Sequence, residues 1–332
     1  MIAKILQFIR KHDDFLCSGH IRSDGDALGA QLALSFLLKK MGKKSHCVCD
    51  HGAMAELAWL PGADKVGADP SALRRRYSGV FTCDSGSWRR LERISAALKR
   101  DEITVVNIDH HASNERFGDI NWVDPTYSST GEMIWDLAKA ARVKPDRAMA
   151  TCVYTAIVTD TGSFRFSNTT LDTHRRAAEC LALGVLPADV TKMVYRQKSI
   201  GHWKLASVLV RDMKMSDDGR LAWMALTPER TREAGHEPAE TQDFMDIMKS
   251  IKGVEVAILL RPQDGKVKVS WRTDRGIDGI ALASKWGGGG HPRASGASLQ
   301  GTMDEVERTV VKQTLELMRG KRTRESSREG SM

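Results

Sequence analysis

Apolar residues in the first half of the chain recur as short runs of strand length that alternate with stretches of helical spacing. The runs are Phe15 to Gly19, Ser45 to Cys49, Gly79 to Cys83 and Ile103 to Ile108, with a helix expected from about Ala27 to Met41. Strands alternating with helices are βα units, and these build a mainly parallel sheet with helices on its faces. Ser129-Thr130-Gly131-Glu132 has the spacing of a capping box and predicts a helix to about Ala141; another helix should precede Asp160.

The pattern changes from about Ala188 to Met213, where helical spacing is charged and Tyr195, Trp203 and Leu205 stand among basic residues. Residues 191–215 are therefore expected to connect an N-terminal domain, 1–190, to a smaller one, 216–319. In the second, Leu221 to Leu226, Val254 to Leu260 and Val267 to Trp271 read as strands, and Gln263-Asp264-Gly265 is a hairpin turn signal. Met303, Val306, Val310 and Leu317 have the spacing of a final helix, with Trp271 and Trp286 in the core. The expected fold class is α/β: a mainly parallel-sheet domain, a smaller α/β domain, and a cleft between them. The polar, basic stretch 320–332 lacks apolar periodicity and is expected to be a disordered tail.

Composition adds limits. A chain of 332 residues can build two cores, and 41% hydrophobic with 28% charged residues excludes a disordered or fibrous class. No stretch approaches the ~20 apolar residues of a membrane span, and Met1 to Arg10 lacks the continuous apolar run of a secretory signal. The six cysteines lie mostly in apolar segments, which points to free thiols and a cytoplasmic location; Cys47 and Cys49 read as buried strand positions, not as a metal pair. A net charge of +8 and a pI near 9.2 favour an anionic partner. Arg74-Arg75-Arg76 reads as an exposed helix face.

The chemistry sits where apolar segments end: His20, Asp24 and Asp26; Asp84; Asp109, His110 and His111; and Asp160. Carboxylates and imidazoles with no thiolate among them suit Mn²⁺ or Mg²⁺ better than structural zinc. Carboxylates gathered this way repel one another unless divalent cations neutralise them. A pair of ions about 3.5–4 Å apart can polarise a phosphoryl oxygen and turn water into hydroxide near neutral pH. The chain reads as a metal-dependent phosphoesterase.

His20-Ile21-Arg22-Ser23-Asp24-Gly25-Asp26-Ala27, Asp84, Asp109-His110-His111 and Asp160-Thr161-Gly162 resemble the four motifs of the DHH phosphoesterases. Gly287-Gly288-Gly289-Gly290-His291-Pro292-Arg293-Ala294-Ser295-Gly296 resembles the glycine-histidine signature of the DHH-associated substrate domain. The resemblance implies that His20, Asp24 and Asp84 hold one cation and Asp26, His110 and Asp160 a second, with Asp84 bridging. It implies Mn²⁺ as the metal, with Mg²⁺ or Co²⁺ as alternatives. His111 would lie near the scissile phosphate, and Asp109 would orient the neighbouring histidines. Ser23 departs from the proline of many relatives but removes no ligand. In the second domain, Gly288, Gly289, Gly290 and His291 are expected to cradle a phosphate and Arg272 to pair with a terminal one. Asn114, Phe117, Ser163 and Arg165 read as loop packing outside the metal shell.

The implied activity is hydrolysis of short RNA oligonucleotides to nucleoside monophosphates, as in the nanoRNase group, with removal of the 3′-phosphate of 3′-phosphoadenosine 5′-phosphate as a second reaction. A soluble phosphodiesterase for cyclic di-AMP or pApA is the alternative within the enzyme class, and a non-catalytic RNA-binding module the alternative outside it. A homodimer is open, since relatives often pair.

Overall fold

The computed structural model describes residues 1–329 except 22, 51, 68–72, 74, 237, 239–240 and 275. The chain divides into two compact units, Met1–Gln197 and Lys198–Met332.

The first unit runs α1 (Ile2–Lys11), β1 (Phe15–Ser18), α2 (Gly25–Lys40), β2 (Ser45–Cys47), β3 (Gly79–Cys83), α3 (Glu92–Ala97), β4 (Val105–Asp109), β5 (Ile120–Val123), α4 (Thr130–Ala140), α5 (Arg147–Asp160), α6 (Leu171–Ala182) and α7 (Pro187–Tyr195). All its strands pair in parallel, in the order β2-β1-β3-β4-β5. Alternate residues serve the two faces. Phe15, Cys17, Phe81, Cys83, Val106 and Ile108 join the core built with α1, α2, α4 and α5, while Leu16, Val80 and Val105 meet Leu91, Ile94 and Leu98 on the other side. β5, which the apolar pattern did not single out, has four residues and pairs with β4. α2 is buried almost all round, and its buried Gln31 is satisfied by donating to the Cys17 carbonyl at 2.8 Å and accepting from Cys49 Sγ at 3.1 Å.

Glycines bring the helices together. A Cβ on Gly29 would lie 2.5 Å from the Cys152 carbonyl oxygen, and side chains on Gly25 or Gly131 would strike Thr159 or Ala156. The starts of α2 and α4 therefore close against the last two turns of α5. In a sheet ordered 2-1-3-4-5 the winding reverses between β1 and β3, and the crevice at the carboxyl ends of those strands is where such folds hold ligands.

The second unit runs α8 (Ile200–Arg211), β6 (Lys214–Met215), β7 (Leu221–Ala225), α9 (Pro228–Ala234), α10 (Gln242–Lys249), β8 (Val256–Gln263), β9 (Lys266–Thr273), α11 (Gly279–Ser284), β10 (Gly289–His291), β11 (Ala294–Leu299) and α12 (Met303–Glu329). Its sheet has the order β10-β11-β9-β8-β7-β6, antiparallel except where β7 meets β8. Asp264 and Gly265 both have positive φ, as the tight β8-β9 hairpin requires. One face packs on Leu205, Leu209, Phe244, Met245 and Met248; the other packs on Val306, Val310 and Met318. Trp271 is fully buried and its indole N–H donates to Thr314.

Two expectations differ from the structure here. The stretch 191–215 does not stand as a separate connector, because α8 contributes Leu205 and Leu209 to the second core. The end of the chain is helical through Glu329 where a disordered tail was expected. Lys321, Arg322, Arg324 and Glu325 are strong helix formers, and they extend a helix already nucleated by packing. Residues 330–332 and Arg74 of the arginine run lie outside the described residues. All six cysteines are buried and unpaired. No helix among the described residues is long and apolar enough to cross a membrane.

Candidate metal centre

The ends of β1, β3 and β4, the start of α2 and the end of α5 deliver the parts of the site. Asp84 is the first residue beyond β3, with a left-handed φ of 56° and its N–H donating to the Ile108 carbonyl. His20 follows β1. Its Nδ1 bonds the Ile21 carbonyl at 2.7 Å, so Nδ1 carries a proton and Nε2 is the nitrogen turned towards the carboxylates. That Nε2 lies 3.6 Å from Asp84 Oδ2 and 3.8 Å from Asp24 Oδ2. Asp24 caps α2 through Oδ1, accepting from the N–H groups of Asp26 and Ala27, which leaves Oδ2 facing His20.

His110 follows β4. Its Nε2 is buried without a hydrogen-bond partner, 3.4 Å from Asp160 Oδ2, 3.5 Å from Asp84 Oδ1 and 3.7 Å from Asp26 Oδ2. These separations are too long for hydrogen bonds, yet they suit donors arranged around one cation at about 2.0–2.2 Å from each. Among the described residues three donor groups result: His20, Asp24 and Asp84; Asp26, His110 and Asp160; and Asp84, His110 and His111, each with its ligand atoms within 4.8 Å of one another. Asp84 turns Oδ2 to the His20 side and Oδ1 to the His110 side. An orphaned buried imidazole nitrogen ringed by carboxylates fits a divalent cation with mixed nitrogen and oxygen ligands.

The electrostatics express the crowding. Burial, then the charge of Asp84, pushes Asp26 and Asp160 well above the usual carboxylate range. Burial acts the same way on Asp84, but the hydrogen bond and charge of His111, with His110 and His20, hold it well below that range. Burial would lower His111, but Asp109 and Asp84 outweigh it and push the ring up to about 11.

The expected N-terminal residues all converge, and most of their supports were not legible beforehand. Asp109 holds His111, with Oδ1 2.7 Å from its Nδ1, but His110 is held by the Tyr127 backbone instead. Asn114, read as loop packing, donates to Asp109 Oδ2 at 2.5 Å and to the Ser85 carbonyl. Asn168 donates to the Asp160 carbonyl at 3.0 Å. Thr130 and Gly131 donate their N–H groups to Asp26. The signal for the last pair lay in the capping pattern. Ser129 does cap Glu132 N–H, yet the Glu132 carboxylate accepts from Ser128, not Ser129. The N–H groups of the first turn thus remain for Asp26.

In the second unit the glycines expected to cradle a phosphate lie on and beside an edge strand. Gly289–His291 is an edge strand paired with Ala294–Gly296. Gly288 abuts the Gly296 carbonyl, and a Cβ on Gly290, at φ 134°, would meet the Ala294 carbonyl at 2.5 Å. Close approach to β11 therefore accounts for both. Arg272, expected to meet a terminal phosphate, is half-buried at the end of β9 and donates to the Trp271 carbonyl. The His291 side chain lies outside the described residues.

A doubly wound sheet with carboxylates and imidazoles gathered at its switch point defines a metal-dependent phosphoesterase. Residues 14–157 match the DHH family, N-terminal domain, and residues 219–319 match the DHHA1 domain. The chain is 33% identical over 94% of its length to the bifunctional oligoribonuclease and PAP phosphatase NrnA of Thermus thermophilus, covering 91% of that protein. It is 27% identical to the Bacillus subtilis protein of the same name, over 94% of this chain and 97% of the other. Among solved structures it resembles an exopolyphosphatase-related protein from Bacteroides fragilis, with a TM-score of 0.88, 26% identity, and coverage of 97% of this chain and 96% of that one. The chain belongs to the DHH family of phosphoesterases.

Proposed function

We propose that this protein hydrolyses short oligoribonucleotides to nucleoside monophosphates and removes the 3′-phosphate of 3′-phosphoadenosine 5′-phosphate. The observation that carries the reading is the sharing of Asp84 between donor groups on its two sides, the layout of a bridged two-cation site. His20, Asp24 and Asp84 would hold one cation, and Asp26, His110, Asp160 and Asp84 the other. When bound, the ions supply a Lewis acid for the phosphoryl oxygens and a hydroxide near neutral pH. Mn²⁺ is assigned over Mg²⁺ because imidazoles stand among the ligands.

The chain's own residues do the rest. His111 brings a positive charge against the site and offsets charge that develops on the phosphoryl oxygens, while Asp109 and Asn114 fix its ring. Arg272, Gly288, Gly289, Gly290 and His291 are assigned to the substrate's terminal nucleotide. The names of the Thermus and Bacillus relatives support this choice of substrates. Six buried, unpaired thiols support a cytoplasmic setting.

The test is chromatography of products after incubation with Mn²⁺ and, in parallel, pApA, an RNA trimer to pentamer series, cyclic di-AMP and 3′-phosphoadenosine 5′-phosphate. Mononucleotides released fastest from the linear RNAs are expected. Preferential opening of cyclic di-AMP would make the protein a signalling phosphodiesterase. RNA binding without turnover of any substrate would make it a binding module.

A further inference from the structure

The first turn of α4 touches both carboxylates at the middle of the site through one residue. Thr130 is fully buried, its Oγ1 donates to Asp84 Oδ1 at 3.1 Å, and its N–H donates to Asp26 Oδ2 at 2.7 Å. Gly131 N–H completes the hold on Asp26 at Oδ1, 2.8 Å away. That turn cannot drift, because Gly131 is pressed against Ala156 of α5.

Asp84 needs such a hold. Its carboxylate can rotate about Cβ–Cγ, and only one range of angles directs Oδ2 to His20 while Oδ1 faces His110 and His111. Repulsion from Asp26 and Asp160 would favour turning away from that orientation. A buried hydroxyl has no water to compete for its proton, and the β-branched threonine is stiff at χ1, so its donor is aimed in advance.

We infer that Thr130 is a positioning residue that holds Asp84 in its bridging orientation and couples it to Asp26. The inference rests on the two-cation reading above. Thr130 ligates neither proposed ion itself but hydrogen-bonds the carboxylate oxygens of Asp84 and Asp26 that would, so its removal acts on how the second ion is bound.

The experiment is Mn²⁺ titration of the full chain by isothermal calorimetry, with low-temperature electron paramagnetic resonance to detect the coupled ion pair. Wild type, Thr130→Val, Thr130→Ala and Thr130→Ser are compared, each first checked by circular dichroism in EDTA. Wild type is expected to bind two ions with a coupled-pair spectrum. Thr130→Val and Thr130→Ala should keep one binding step and weaken the other about 10–100-fold, the usual effect of losing an outer hydrogen-bond partner, with loss of the coupled spectrum. Thr130→Ser should restore both to within about threefold, a rescue that a purely packing role for the methyl would not give. If Val disrupts the fold, the smaller Ala variant decides. Two unweakened steps in the Val or Ala variant would overturn the inference and leave the two-cation reading standing. Fewer than two ions in the wild type would overturn both.

Discussion

Asp84 concentrates the chemistry of the site in one side chain. It stands at a left-handed backbone position at the end of β3, its two oxygens face different imidazoles, and its charge adds to burial in raising Asp26 and Asp160. Replacing it by alanine should lower kcat by more than about a hundredfold, beyond the loss of an outer-shell partner, while circular dichroism stays native. Near-normal turnover would exclude the bridging role. At this scale the sequence singled out the residues that the fold brings together but not what holds them. Thr130 is 104 residues from Asp26 and 46 from Asp84, and Asn168 reaches back to Ser128. Hydrogen bonds of that span leave no local spacing to recognise.

At the scale of elements, glycine packing explains positions that composition makes look flexible. Gly288→Ala should destabilise the second unit by about 1–3 kcal/mol, since its Cβ would enter the backbone of β11. Gly289 faces open space, so Gly289→Ala should change stability by less than about 0.5 kcal/mol. Thermal unfolding of the pair reads the packing role, and the KM of the Gly289→Ala variant reads any contact with substrate. Equal stability in both variants would refute the strand account of the glycine run.

Glu255 at the start of β8 accepts from Arg220 Nε at 2.7 Å and Nη2 at 2.5 Å, and that hydrogen bond lowers its pKa below the ordinary 4.5. A carboxylate lowered on folding stabilises above its unfolded pKa and loses that contribution as pH falls through the folded one. Arg220→Met should therefore cost about 0.5 kcal/mol at pH 7, a value suited to a pair partly open to solvent. The difference should fade below pH 4.5, and denaturant titrations at about pH 7 and about pH 3 check it.

For the whole molecule, a cation that binds only the folded first unit must stabilise it by mass action. Calorimetry with Mn²⁺ at a hundred times its dissociation constant should raise that unit's stability by about 2.7 kcal/mol over EDTA, and Asp84→Ala should lose most of the gain. An unmoved transition in the wild type would argue against a resident metal.

The chain by itself determined the α/β class, the strands that carry the site, the all-carboxylate-and-imidazole donor set and the second domain. Each of these is written in local periodicity or in residue type. Only the tertiary structure decided the rest: the 2-1-3-4-5 order that puts His20 beside Asp84, the glycine contacts that bring α2, α4 and α5 together, and the aim of each carboxylate oxygen. Those depend on which surfaces meet. Burial and hydrogen bonding between residues distant in sequence settle that, and no window of the sequence contains both partners.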